Sequence, residues 1–228
     1  IKFQNKAGDL EYAWTTSWGA STRLIGAIIM THSDDDGLIL PPRVAPVKAA
    51  IIPISADEIK AAEVLLPRAR DLSARINASL GGRFTSVDTQ FHLRPGDRFF
   101  NHLQKGVPLR IELGEKDLAQ GRVRIVRRDT GERSDIPFGE AAEKIPAILD
   151  DIQQGLYRKA LDFTRKNTRT AKNYGEFKEI IESDGGFIET WFAGTSEEEK
   201  KVKEETGATA RCMPLGEETA GTCFLTGR

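Results

Sequence analysis

The 228 residues suffice for one large domain or two, each with a real core. The 33 basic and 34 acidic side chains nearly cancel, so no global positive field advertises a nucleic-acid partner, although a local basic face is enough where a few bases are read. Two cysteines, Cys212 and Cys223, exclude a disulfide framework and fit a reducing, cytoplasmic setting, and the absence of a long apolar run or a basic-then-apolar leader argues against a membrane span or export.

In chain order, the first element is an apolar run at residues 24–30, interrupted by one glycine and long enough for a buried helix or strand. Ser17, Trp18, Gly19, Ser21, Thr22 and Arg23 precede it. Glycine beside small hydroxyl residues lets a ligand approach the backbone, and an arginine at the mouth of a buried element suits a phosphate. Any polar loop entering a core also has this look. Pro41 and Pro42 close the segment, because they cannot continue a helix. The chain opens on Ile1 in mid-pattern and reads as a fragment.

From about residue 45 strand and helix alternate. Residues 47–54 form a β-branched apolar run, a buried strand. A helix follows at 57–80, capped by Asp57, kinked or split at Pro67 and stopped by Gly81-Gly82. A strand at 84–88, a helix at 95–105 and a strand at 107–113 come next. A fourth strand, 123–128, pairs with Arg133–Pro137 across the Asp129-Thr130-Gly131 turn. The pattern describes a mixed sheet with packed helices. A long helix at 139–167 buries a stripe of Ile145, Ile148, Leu149, Ile152, Leu156, Leu161 and Phe163. The remainder is a small α/β unit: helix 174–183, strand 186–192, helix 196–206 and strand 210–215.

The literal strings narrow this reading. S-W-G-A-S-T-R, then D-D-D-G-L-I-L-P-P-R-V-A-P after the apolar run, resembles the third class II signature of prolyl-tRNA synthetases and the entry to their anticodon-binding domain. The resemblance implies that Arg23 binds the ATP phosphates, with Ser21 and Thr22 beside it. Ser17, Trp18 and Gly19 then line the proline pocket. It implies three parts: the end of a class II catalytic antiparallel sheet at 1–44, a mixed-sheet anticodon-binding domain at 45–138, and a connecting helix with a small α/β C-terminal domain at 139–228. The fold class is thus α/β, α+β overall. The two upstream signatures that supply most of the side chains for adenylate formation are not in this sequence, so the chain alone is expected to be inactive.

In the third strand, V-P-L-R-I-E-L-G-E-K-D, the apolar residues face one way and Arg110 and Glu112 the other, with Lys116 and Asp117 in a following turn. Cations donate to guanine and carboxylates accept from its amino group, so such a face can read bases. An ordinary solvated sheet face with weak cross-strand ion pairs has the same pattern. K-G-V-P-L-R-I-E-L-G-E-K-D and R-R-D-T-G-E resemble the anticodon-binding strand and loop of the same family. The resemblance implies that Arg110, Glu112, Lys116, Asp117 and Arg133 read the two guanines shared by proline anticodons. Glu115 stands where the family has proline. His102-Leu103-Gln104-Lys105 replaces an acidic W-E-x-K, so one carboxylate contact is missing.

Many relatives hold a structural zinc in the C-terminal part. The corresponding positions here are Phe192, Glu197, Cys223 and Thr226, one thiolate of the four ligands a closed tetrahedron needs. No metal is expected; Phe192 marks a small apolar core in its place, and Cys212 is expected to be buried. The histidines, His32, His92 and His102, are too scattered for a metal centre. No G-x-S-x-G or phosphate-loop motif is present. The resemblance implies ATP with magnesium, proline and a tRNA bearing a proline anticodon as substrates, a homodimeric parent enzyme and no membrane. The competing reading is a free-standing RNA-binding or regulatory module, which has no use for the S-W-G-A-S-T-R turn.

Overall fold

A computed structural model describes residues 1–213 and 220–228. The chain divides into two compact units, Ile1–Gln153 and Gln154–Arg228. No helix among the described residues is long and apolar enough to cross a membrane.

The first unit opens with a two-stranded antiparallel ribbon, β1 (Lys2–Gln4) and β2 (Leu10–Tyr12). The apolar run at 24–30 becomes a helix, α1 (Arg23–His32), but none of its residues is buried. The expected burial is corrected: Leu24 and Ile25 are more than half exposed because no described residue covers them.

The expected mixed sheet is present. Its strands are β3 (Ala49–Ile54), β4 (Thr85–Val87), β5 (Leu109–Gly114), β6 (Arg122–Arg127) and β7 (Arg133–Pro137), in the order β4-β3-β5-β6-β7. β3 runs parallel to both neighbours, and β5, β6 and β7 form an antiparallel meander. β3 is apolar throughout because both of its faces are covered. Successive residues of β5 alternate between buried and half-buried, as the period-two pattern requires.

Asp57 caps the next helix as expected, accepting from the Ile59 and Lys60 N–H groups at 2.9 and 3.3 Å. Pro67 does split it. Between α2 (Glu58–Lys60) and α3 (Leu66–Leu80) lies a π-helical turn, Ala61–Leu65, which closes with Leu66 N–H donating to the Ala61 carbonyl. Pro67, which lacks an N–H, falls in the first turn of α3, where none is required. Leu72 and Ile76 of α3, with Ile145 and Ile152 of the long helix α6 (Ala141–Lys166), are fully buried with Ile111 and Ile125 of the sheet. Two details of that helix's expected stripe change: Ile148 and Leu161 are only half-buried, and Phe163 is 69% exposed, since nothing among the described residues covers it.

α4 (Pro95–Gln104) matches expectation. The predicted turn at Lys116 and Asp117 is a short helix, α5 (Glu115–Ala119); Glu115, the residue in place of the family's proline, lies at its start and accepts from Ser55 Oγ.

The second unit contains β8 (Thr168–Thr170), α7 (Tyr174–Ser183), β9 (Phe187–Glu189) and α8 (Ser196–Thr206). β8 had no sequence signal beyond the end of the helical pattern; it pairs parallel with β9. Thr195 and Glu198 form a reciprocal capping box on α8. The core gathers Ala171, Phe177, Val202 and Phe224. The strand expected at 210–215 does not form at 210–213, and Pro214 and Leu215 lie outside the described residues. Cys212 is exposed rather than buried: without a strand, nothing folds it inward.

Candidate nucleic-acid interface

The half-buried side of β5 carries Arg110 and Glu112 together, as the alternation requires. Arg110 Nε donates to Glu112 Oε1 at 3.0 Å, and the guanidinium lies 4.3 Å from the centre of the Phe99 ring on α4. The two Nη groups have no partner among the described residues. Glu112 and Phe99 therefore fix the plane of the fork while its outer edge stays open, the arrangement needed to meet two acceptors on a base edge.

Register carries the charges across the sheet. Glu112 pairs with Arg124, and Arg124 with Asp135. Arg124 Nε donates to Asp135 Oδ1 at 2.9 Å, while Arg122 bridges Asp135 at 3.0 Å and Asp117 at 3.2 Å. The Arg124 hydrogen bond is the main reason the Asp135 carboxyl lies below its ordinary range. Lys116 is exposed beside Asp117, and Arg133 is exposed on β7; neither has an ion-pair partner among the described residues. The face thus mixes a pre-formed lattice of paired charges with two open cations. Phe99, Arg122, Arg124 and Asp135 were missed in the sequence; the R-V-R alternation of β6 would have flagged its two arginines.

Beneath α4 lies a buried charge cluster. Arg98 is 2% exposed and Asp88 6%. Arg98 Nε donates to Asp88 Oδ1 at 2.8 Å and Nη1 to the Pro53 carbonyl at 2.9 Å; His102 Nε2 lies 2.9 Å from Asp88 Oδ2. Burial pushes the Asp88 carboxyl up, but the Gln90 N–H, His102 and Arg98 together hold it below the usual range. These bonds fix α4, and with it Phe99, to the ends of β3 and β4.

The signature residues have a different setting. Ser17, Trp18, Gly19, Ser21 and Thr22 are exposed, as is Arg23 at the first position of α1. Trp18 is 93% exposed. The Arg23 N–H reaches Ser21 Oγ at 3.4 Å, and its guanidinium has no partner among the described residues. The loop forms no enclosed pocket by itself.

In the second unit the four positions matching the family's metal ligands do not assemble a site. Among the described residues no three His, Cys, Asp or Glu side chains gather where they could hold a metal ion. Phe192 stands 6.0 Å from Phe224, ring to ring, but is 40% exposed and lies outside the buried cluster, so the apolar core expected around it does not form. The buried Cys223 Sγ accepts from the Ala193 N–H at 3.4 Å. Burial raises the Cys223 thiol, but the Ala193 N–H and groups of the 225–226 turn outweigh it and bring the pKa down to about 7. These residues do not fit a tetrahedral zinc.

The mixed five-stranded sheet with helices packed on it matches the anticodon-binding domain of an aminoacyl-tRNA synthetase. A family model described as "Anticodon binding domain" matches residues 48–148, and one described as "Prolyl-tRNA synthetase, C-terminal" matches 174–228. The proline–tRNA ligases of Roseiflexus sp. (strain RS-1) and Porphyromonas gingivalis (strain ATCC BAA-308 / W83) are each 42% identical over 100% of this chain. The chain spans about half the length of these relatives, 47% and 46%. The structure of Giardia lamblia prolyl-tRNA synthetase in complex with prolyl-adenylate superposes with a TM-score of 0.83 at 30% identity, covering 100% of this chain and 49% of that one. The chain belongs to the prolyl-tRNA synthetase family.

Proposed function

We propose that the protein ligates proline to its cognate tRNA through an ATP-dependent prolyl-adenylate. In this reading residues 1–44 supply the signature loop, 45–138 the anticodon reader and 139–228 the C-terminal domain. Arg23 holds phosphate oxygens of magnesium-bound ATP, flanked by Ser21 and Thr22, while Ser17, Trp18 and Gly19 border the proline. The proline carboxylate attacks the α-phosphorus and pyrophosphate leaves, so a fixed cation beside the phosphates stabilises charge that grows in the transition state. Arg110, Lys116, Asp117 and Arg133 read the adjacent guanines, and Glu112 orients Arg110 rather than touching RNA first. The enzyme is a cytoplasmic homodimer and takes no zinc.

The observation that carries this reading is Arg110: one edge held by Glu112, one face on Phe99, and two donor groups left open. Binding of the purified chain to two anticodon stem-loops at one salt concentration tests it. The stem-loop with two adjacent guanines should bind about 5- to 150-fold tighter than one with both changed, the discrimination of a good bidentate base contact. Equal binding would overturn base reading. Chelator should leave the melting temperature unchanged; chelator-induced unfolding would show a metal that the aligned residues did not reveal.

A further inference from the structure

Arg128, which follows β6, spends its fork inside the chain. Its side chain is 8% exposed. Nη1 donates to Asp34 Oδ2 at 2.8 Å and Nη2 to Asp34 Oδ1 at 2.5 Å, a bidentate pair. Nη2 also reaches the Gly37 carbonyl at 3.2 Å, and Nε the Leu103 carbonyl of α4 at 3.3 Å. One side chain therefore ties the Asp34–Gly37 turn to the end of the helix that carries Phe99.

Residues 34–40 form a strap along that helix end. Leu38 N–H donates to the Gln104 carbonyl and Leu40 N–H to the Gly106 carbonyl, each at 3.2 Å. The fit depends on glycine at two places. A Cβ on Gly37, at φ +141°, would stand 2.8 Å from Gln104 Cα, and one on Gly106, at φ +69°, 2.6 Å from Leu38 Cβ. At its other end the strap begins one residue after Ser33, whose N–H closes α1 on the Ile29 carbonyl. The helix that starts with Arg23 is thus continuous with a segment pinned to the helix packed on Arg110.

We propose that Arg128 is a positioning residue that couples RNA on the sheet face to the setting of α1, acting through Asp34 and the strap. The inference rests on the proposed roles of Arg110 and Arg23. RNA held by Arg110 bears on Phe99 and so on α4, whose final carbonyls and Arg128 hold the strap seated. The coupling requires the strap to exchange between this seated arrangement and a released one, and coupling of ordinary size changes that equilibrium about 5- to 150-fold. Arg128 holds the Asp34 carboxyl down at about 2, so the pair is ionised at neutral pH.

Hydrogen exchange of the 228-residue chain, with and without saturating guanine-bearing stem-loop, tests the coupling. In the wild type the RNA should slow exchange across residues 24–38 by at least about fivefold, the low end of that range. Asp34→Ala and Arg128→Lys, which keeps the charge but loses the fork, should abolish the slowing and, because linkage is reciprocal, weaken binding of the guanine-bearing stem-loop by the same factor, while its preference over the altered stem-loop stays within about twofold of wild type. Slowing retained in both variants overturns the proposal, as does slowing lost together with the guanine preference, which would make Arg128 a purely structural prop. A wild type that binds RNA without slowed exchange sinks the coupling alone; a wild type that binds neither stem-loop sinks the anticodon reading and the coupling with it.

Discussion

The signature loop at 17–23 and the sheet face around Arg110 each carry an arginine proposed to meet a nucleotide, yet their surroundings are opposite. Arg110 is 14% exposed, with a carboxylate on one edge and a ring on one face. Arg23 is exposed with its guanidinium unpartnered among the described residues. A side chain that must discriminate bases gains from being fixed in advance, because ordering a long arginine on binding costs affinity. A cation that stabilises charge growing on a phosphate gains from being fixed as well, and no described residue fixes the Arg23 guanidinium. The sheet face is therefore complete as it stands, whereas the loop presents chemistry without an enclosure.

Substitutions sharpen that contrast, the largest effect coming from beneath the sheet face. Asp88→Ala leaves Arg98 buried and uncompensated, and should cost about 3–5 kcal/mol of stability by denaturant titration. A loss under about 1 kcal/mol would mean that the cluster does not fix α4. Next, Arg23→Ala in the full-length enzyme should raise the adenylation barrier by about 3 kcal/mol, read by proline-dependent pyrophosphate exchange. Its effect on the stability of this chain should stay within about 0.5 kcal/mol, since the side chain is exposed. A rate change under about threefold removes Arg23 from the phosphate site.

Arg110→Ala should cost about 1–3 kcal/mol for the guanine-bearing stem-loop and much less for the altered one. Equal losses on both would reduce Arg110 to a phosphate contact. The smallest effect is a pH dependence. The Asp34 carboxyl, held near 2 chiefly by its hydrogen bond from Arg128, stabilises the fold above its unfolded pKa of about 4. That stability is lost as pH falls from there through about 2. The carboxylate side chain is 43% exposed, so screening limits the contribution to about 1 kcal/mol. Asp34→Asn should flatten that part of the acid limb; an unchanged limb would mean that the fork contributes nothing to stability.

Much of the fold was legible because its signals are local. The alternation of β5, the Asp57 cap, Gly81 and the β6–β7 turn act through neighbours in sequence, and each fell within a residue or two of expectation. The literal strings also singled out Arg23 and Arg110 as candidates. What the sequence determined by itself was therefore the family, the order of elements from β3 to α6 except the short helix α5, and the residue types offered to ligands. What only the tertiary structure decided was which charges are already engaged. Asp117 is held by Arg122, Glu112 by Arg110, and Asp34 by an arginine 94 positions away. Tertiary structure also decided exposure: α1, Phe163 and Cys212 look buried by composition and are not. Apolar periodicity says which face a helix can bury, whereas burial itself needs a partner surface, which local sequence does not specify.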